Sequence, residues 1–114
     1  MSRTPIRTTA PDLEPPRMMT FADFKASVAA TRPPTLVPAL EALWWAAKGD
    51  WDKAHKIVMD DPGRTAAWVH AYLHRVEGDL PNAQYWYRTA GQPVATGALD
   101  AEWAAIAEEL LASR

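Results

Sequence analysis

Two histidines spaced one helical turn apart are the residues of this sequence best suited to chemistry. His70 and His74 are four residues apart and Glu77 follows three residues later, so the three side chains share one face of a helix. Two imidazoles at this spacing can bind one divalent metal ion, and Glu77 could add an oxygen ligand. Another element would have to supply a further ligand, for which the sequence offers three candidates: Asp52, His55 and Asp79.

Two other roles are open to the same histidines. An unperturbed imidazole has a pKa of about 6.5, which suits general acid–base catalysis near neutral pH. Alternatively, the pair could hydrogen-bond across two packed helices or lie in solvent. The sequence favours a protein that is not an enzyme, because it has no cysteine, no Ser-His-Asp order and no glycine-rich phosphate loop. The glutamate of a zincin motif is also absent between the histidines, where Ala71, Tyr72 and Leu73 stand. No cofactor is therefore predicted other than a divalent metal ion.

The sequence is unusually rich in tryptophan, with six in 114 residues. Adjacent aromatic residues on a helix cannot all face one core, because each residue rotates by about 100°. We therefore expect Trp45 and one of Tyr85 and Tyr87 to be partly exposed. Tryptophan, tyrosine and arginine are enriched where protein partners bind most strongly, and aromatic side chains also line small-ligand pockets. This predicts a ligand or partner surface of six residues: Trp45, Trp51, Tyr85, Trp86, Tyr87 and Arg88. The alternative is that these rings build the core, or are covered by the N-terminal segment or the last helix.

Six helices should position these side chains. Thr20 and Asp23 form a capping-box pattern at the first helix, and Arg32 precedes two prolines that stop it. Gly49 and Gly78 each end a helix, and the aspartate after each glycine caps the next one. The apolar spacing places the helices at about residues 20–32, 35–48, 51–59, 65–77, 80–90 and 98–112.

The two glycine corners belong to an internal repeat. Residues 48–54 and 77–83 align 29 residues apart, and each copy has a glycine, a capping aspartate and an alanine small enough for close helix packing. The Gly-Asp-Trp-Asp-Lys-Ala string resembles the corner of a tetratricopeptide repeat, and residues 85–90 are similar to the aromatic-then-alanine pattern of Sel-like repeats. The resemblance covers about residues 36–91 and implies two tandem helix–turn–helix hairpins with a protein-binding role. The spacing is shorter than the tetratricopeptide period of ~34 residues, so we expect flanking helices to close the hairpins into a compact bundle.

Length and composition limit the architecture and the partners. A chain of 114 residues with 48% hydrophobic residues is sufficient for one domain. Residues 1–17 contain four prolines and predict an extended or disordered tail, which leaves residues 18–114 as a single all-helical domain. A net charge of −2 argues against nucleic acid as a partner. No apolar run approaches the ~20 residues of a membrane span, and no signal peptide is visible, so we expect a cytoplasmic protein without a membrane partner.

Residues 70–75 and 85–87 are also similar to a small family of uncharacterised cytosolic proteins, which implies no activity.

These observations leave three hypotheses for function. The first is a non-enzymatic interaction module of the tetratricopeptide type that binds a protein partner, or forms a homo-oligomer, through exposed aromatic side chains. The second is a metal- or small-ligand-binding protein, enzymes included, that uses His70 and His74 beside the aromatic cluster. The third is a structural accessory domain without a site of its own.

Overall fold

The computed structural model describes residues 19–113, which contain six α-helices and no β-strand. The helices are α1 Phe21–Ser27, α2 Pro38–Ala47, α3 Trp51–Val58, α4 Arg64–Val76, α5 Leu80–Ala90 and α6 Leu99–Ala112. This confirms the predicted all-α bundle of five to six helices. The predicted N-terminal tail, residues 1–17, lies outside the described residues. No described helix is both long and apolar enough to cross a membrane.

The starts of α1 and α2 follow from local chemistry. Asp23 N donates to Thr20 Oγ1 at 3.0 Å, and Thr20 N donates to Asp23 Oδ2 at 3.2 Å, so the predicted capping box is complete. The second helix begins at Pro38 rather than near Thr35. Proline suits the first helical position but keeps the residue before it extended, and Val37 accordingly has φ −66° and ψ 154°.

The first helix ends earlier than the sequence predicts. It stops at Ser27, short of the expected end near Arg32. Lys48, at the end of α2, donates from Nζ to Val28 O and to Ala30 O, both at 2.8 Å. A longer helix would have used the carbonyl of Val28, which would accept from the N–H of Arg32, but not that of Ala30, because residue 34 is a proline without an N–H. Lys48 thus satisfies two carbonyl groups that lie just past the end of α1.

Gly49 and Gly78 turn the chain between the helices of two hairpins. Their φ angles are +84° and +86°, a left-handed conformation that glycine adopts without strain. Asp50 then accepts a hydrogen bond from the backbone N–H three residues later, and Asp79 does the same. The alanine four residues after each aspartate is buried. Because α2 packs on α3 and α4 packs on α5, both predicted corners are confirmed as helix-ending and helix-capping devices.

Replacement of Gly49 by alanine should lower the free energy of unfolding by about 1 kcal/mol. An L side chain is strained at φ +84°, although an added Cβ meets no atom within 4 Å. Gly97→Ala is the matched control, because Gly97 has neither a positive φ nor a neighbour that an added Cβ would meet. That change should be neutral or stabilising. Urea denaturation followed by circular dichroism measures both variants, and equal losses would contradict the strain argument.

The core lies between α1, α2, α4 and α6. Its fully buried large side chains include Phe24, Leu40, Leu43, Trp44, Val69, Leu73 and Ile106. Two tryptophans also bond within it: Trp44 Nε1 donates to Ser27 Oγ at 3.1 Å. Trp103 Nε1 donates to the carbonyl of Leu43 at 2.8 Å. Trp44 and Trp103 therefore help to build the core, which was the alternative to a role of the tryptophans in a binding surface.

Candidate metal centre

Three histidines meet between α3 and α4. His70 and His74 share one face of α4, and His55 on α3 brings its Nε2 to 3.1 Å from the Nε2 of His70. One ring nitrogen from each of the three lies within 4.8 Å of the other two. Tetrahedral zinc with bonds of ~2.0–2.1 Å to histidine places its ligand nitrogens about 3.4 Å apart. His55 is thus the sequence candidate that the fold brings to the pair, while Asp52 and Asp79 are not part of this group.

Two tryptophan rings flank the histidine cluster. Trp51 stacks on His55, with ring centroids 4.7 Å apart and 12° between the ring planes. Trp86 on α5 stacks on His70, with 4.0 Å between centroids and 19° between planes. His70 and His74 are only 4% and 6% exposed, and His55 is half-buried. The tryptophans therefore restrict the imidazoles and keep water from two sides of the cluster.

Trp51 also fixes how α3 meets α4. Its Nε1 donates to the carbonyl of Leu73 on α4 at 2.6 Å. His55 lies four residues after Trp51, so the two rings share one face of α3. The hydrogen bond of the first ring to α4 consequently directs the second ring towards the histidines of that helix.

Glu77 orients His74. His74 Nδ1 lies 2.5 Å from Glu77 Oε1. A carboxylate only accepts, so the hydrogen of a neutral His74 sits on Nδ1 and its lone pair on Nε2. Histidines that bind metals commonly donate their other N–H to a carboxylate in this way. Glu77 is not in the three-nitrogen group; it forms a second, more exposed group with His74 and Asp79, also within 4.8 Å. Glu77 is thus a hydrogen-bond partner of His74 beside the three-histidine group, and its use as an oxygen ligand, which the sequence allows, stays a prediction.

Burial keeps two of the imidazoles neutral. Burial, and then the neighbouring charges of His55 and His74, lower the pKa of His70 to about 4. Burial also lowers the pKa of His55, and the charge of His74 acts in the same direction. The carboxylates of Glu77 and Asp52 oppose that shift of the His55 pKa without reversing it. Both imidazoles are therefore neutral at pH 7, the form in which imidazole binds a metal ion.

The metal-free protein should lose stability as the pH falls from about 6.5 towards 4. The pKa of His70 is about 4 in the folded protein and about 6.5 in the unfolded chain, so the unfolded chain takes up the proton first. His70 thus contributes stability that is present above pH ~6.5 and is lost on acidification, up to about 3 kcal/mol. Urea denaturation with a chelator at several pH values measures this loss. His70→Gln should show a shallower decline, and identical declines would contradict the assignment.

The predicted aromatic surface is divided between two places. Tyr85 is 53% exposed and sets its ring edge against Trp86, with centroids 5.0 Å apart. Trp45 is half-buried on α2, where its ring contacts Trp44 and the Nζ of Lys53 lies 4.1 Å from the ring centre. The expected partial exposure of Trp45 and of one tyrosine is confirmed. Trp51 and Trp86 of the predicted surface stack on the histidine cluster, whereas Trp45 packs on Trp44 in another place.

Tyr87 lies in the core rather than on the predicted surface. It is 0% exposed, and its hydroxyl donates to Glu102. The face of α5 that packs on α4 carries Ala83, Tyr87 and Ala90, which are all buried. The neighbouring Arg88 points the other way and is exposed. The helical rotation that exposes Tyr85 and Arg88 is the same rotation that buries Tyr87.

The contacts of a buried carboxylate on α6, Glu102, are not predicted from the sequence. Glu102 is 9% exposed and accepts from Arg75 Nη1 at 2.8 Å and from the hydroxyl of Tyr87. Arg75 Nη2 also donates to the carbonyl of Gly97. The network ties α4, α5 and α6 together. Its signal in the sequence is that Glu102 lies four residues before Ile106, on the apolar face of the last helix.

Comparison with known proteins gives no information on function, so the proposed function must rest on the geometry of the site. No family model, no curated protein and no solved structure matches this chain. The fold and the site define its class: an all-helical protein with a three-histidine group that could hold a metal ion. The resemblance to tetratricopeptide repeats stays a prediction.

Proposed function

We propose that this protein binds a transition-metal ion of the Zn²⁺ class through His55, His70 and His74. The observation that carries the proposal is the convergence of three ring nitrogens from two helices within 4.8 Å of one another. Imidazole suits Zn²⁺, Cu²⁺ and Ni²⁺, whereas Mg²⁺ and Ca²⁺ require oxygen ligands. The ligand set therefore favours zinc-like ions over alkaline-earth ions.

An unsatisfied nitrogen of His70 supports the proposal. His70 Nδ1 is a buried side-chain nitrogen with no hydrogen-bond partner among residues 19–113, which costs about 1–3 kcal/mol. An apolar side chain would fill the same place between the helices without that cost. A cation bound by the Nε2 of His70 and the Nε2 of His55 would offset this cost through the other nitrogen of the ring, while Nδ1 keeps its hydrogen and stays unpaired.

The proposed site keeps a fourth position for water. No further His, Asp or Glu side chain of the described part of the chain completes the three-nitrogen group. Zinc almost always takes four ligands in structural sites, and catalytic sites combine three protein ligands with an exchangeable water. We therefore assign the fourth position to a water molecule, next to the half-buried ring of His55.

Competition with a chromophoric chelator tests the proposal on the untagged full-length protein. We expect one Zn²⁺ per chain, and we expect His55→Gln to weaken binding at least about 100-fold, because two ligands remain. Lys56→Gln is the matched control, since Lys56 is the next residue of α3 and is exposed. It should bind as the unaltered protein does. The absence of one-to-one binding, or equal affinity in His55→Gln, would overturn the proposal.

Glu77→Gln should weaken Zn²⁺ binding by about 10- to 100-fold, the effect typical of a residue that orients a metal-bound histidine. The amide is a weaker acceptor than a carboxylate and no longer fixes the hydrogen on His74 Nδ1. Asp52→Asn is the control, because it removes a carboxylate that acts on His55 through charge alone. It should change the affinity less than about threefold. Equal losses in the two variants would contradict a positioning role for Glu77.

A second candidate function is protein binding or self-association through α5. Leu80 and Tyr85 on this helix are 55% and 53% exposed, and large exposed apolar side chains often mark interaction surfaces. The tetratricopeptide-type hairpins and the cytoplasmic location belong to this hypothesis. Sedimentation of the unaltered protein and of Tyr85→Ala tests it, with a smaller oligomer expected for the variant. Monomers in both samples would contradict self-association.

A further inference from the structure

A cavity lined by residues of α1, α2, α4 and α6, together with Val28 just after α1, lies away from the histidines. Its volume is about 530 Å³, within the ~300–1,000 Å³ range of small-ligand sites. Phe21, Val28 and Trp103 form apolar walls, and none of the three histidines lines it. The rings of Phe21 and Trp103 meet edge to face, with centroids 6.0 Å apart. The walls therefore offer an aromatic corner to a ligand.

Three polar side chains of this cavity have no partner in residues 19–113. Tyr72 is 7% exposed, and its hydroxyl makes no hydrogen bond there. Lys25 and Asp100 line the same cavity, yet neither forms an ion pair with the other or with any further described residue. Lys25 and Asp100 are exposed, whereas the ring of Tyr72 is buried and its hydroxyl faces the cavity lining that the three residues share. A phenol, an ammonium and a carboxylate without partners in that part of the chain are therefore free to contact a ligand in this cavity.

The polar groups define the charge pattern of that ligand. One ammonium and one carboxylate give the cavity no net charge, so a singly charged ligand would gain from one group and be repelled by the other. A ligand that carries both charges gains from both. Burial, with the charges of Glu102 and Asp100, raises the pKa of Tyr72 to about 12, and the phenol therefore stays protonated and able to donate.

We infer that this cavity binds a small zwitterion with an aromatic body, the chemistry of a free aromatic amino acid. The ligand's ring packs against Phe21 and Trp103. Its ammonium group pairs with Asp100, and its carboxylate accepts from Lys25 and the Tyr72 hydroxyl. Tyr72 and Trp103 lie on α4 and α6, so the ligand contacts two helices of the core.

Three probes test the inference, and two of them each lack one charged group of the first. L-Phenylalanine carries both charges, phenylacetate lacks the ammonium group and phenethylamine lacks the carboxylate. The indole N–H signal of Trp103 in ¹H–¹⁵N spectra of the full-length protein is the readout, because this N–H donates to Leu43 inside the core. We expect saturable shifts with phenylalanine and at least fivefold weaker binding of the other two probes. A chelator in every sample separates this site from the proposed metal centre.

Variants distinguish the cavity from unspecific binding. Tyr72→Phe should weaken phenylalanine binding at least threefold, and Lys25→Met should bring its affinity down to that of phenethylamine. Ala104→Leu fills the cavity and should abolish binding, whereas Tyr85→Phe, which alters an exposed phenol elsewhere, should have no effect. Retained dispersion of the indole signals shows that a variant is folded. No saturable shift of Trp103, or equal affinity of the three probes, would overturn the inference.

Discussion

Addition of Zn²⁺ at a thousandfold excess over its dissociation constant should raise the free energy of unfolding by about 4 kcal/mol. At the proposed site the ion would bind the folded chain, in which α3 and α4 bring three ring nitrogens within 4.8 Å. In the unfolded chain His55 and His70 are separated by fifteen residues, and no preformed site exists. Urea denaturation at pH 7.5 with Zn²⁺ or with a chelator measures the difference. The rise should depend on the concentration of free Zn²⁺ with the logarithmic form of ligand linkage.

Two controls separate a specific site from general effects of the ion. His55→Gln should show almost none of the stabilisation, because it removes the ligand that α3 contributes. Mg²⁺ at the same concentration should leave the unaltered protein unchanged, since imidazole is a poor ligand for it. Equal stabilisation of the variant, or of the unaltered protein by Mg²⁺, would contradict coordination by the three histidines.

Glu102→Ala should lower the free energy of unfolding by about 3 kcal/mol. The change leaves Arg75, whose side chain is 14% exposed, without its carboxylate. It also removes the acceptor of the Tyr87 hydroxyl, and Tyr87 is 0% exposed. Loss of one member of a buried pair strands the remaining charge, which costs more than the pair itself contributes. Urea denaturation of the metal-free protein measures the loss.

Glu109→Ala is the matched control for this prediction. Glu109 lies on the same helix and is exposed, so its removal should change stability by less than about 0.5 kcal/mol. If Glu102→Ala were as mild as Glu109→Ala, the network between α4, α5 and α6 would contribute little to folding.

Features set by neighbouring residues could be predicted from the sequence. Thr20 and Asp23 cap α1 as expected, because a capping box involves residues three positions apart. Gly49 and Gly78 end their helices because a left-handed residue is needed at a tight corner. The shared face of His70 and His74 follows from helical periodicity alone.

Features set by packing between helices could not be predicted. The carbonyl groups just past the end of α1 accept from Lys48, which lies 18 and 20 residues later in the chain. The choice of His55 over Asp52 and Asp79 depends on how α3 rests on α4. Periodicity requires that Tyr85 and Tyr87 point different ways, but which one is buried follows from the helix against which α5 packs.

The tryptophans that stack on the histidine cluster make its state measurable by intrinsic fluorescence. Trp51 and Trp86 lie 4.7 Å and 4.0 Å from imidazoles of the histidine cluster, close enough for their excited states to respond to the electronic state of those rings. A paramagnetic ion such as Cu²⁺ bound by those imidazoles would quench the tryptophan emission, whereas the closed-shell Zn²⁺ would not quench it in this way. At the proposed site, intrinsic fluorescence should therefore separate a quenching ion such as Cu²⁺ from Zn²⁺, without any label attached to the chain.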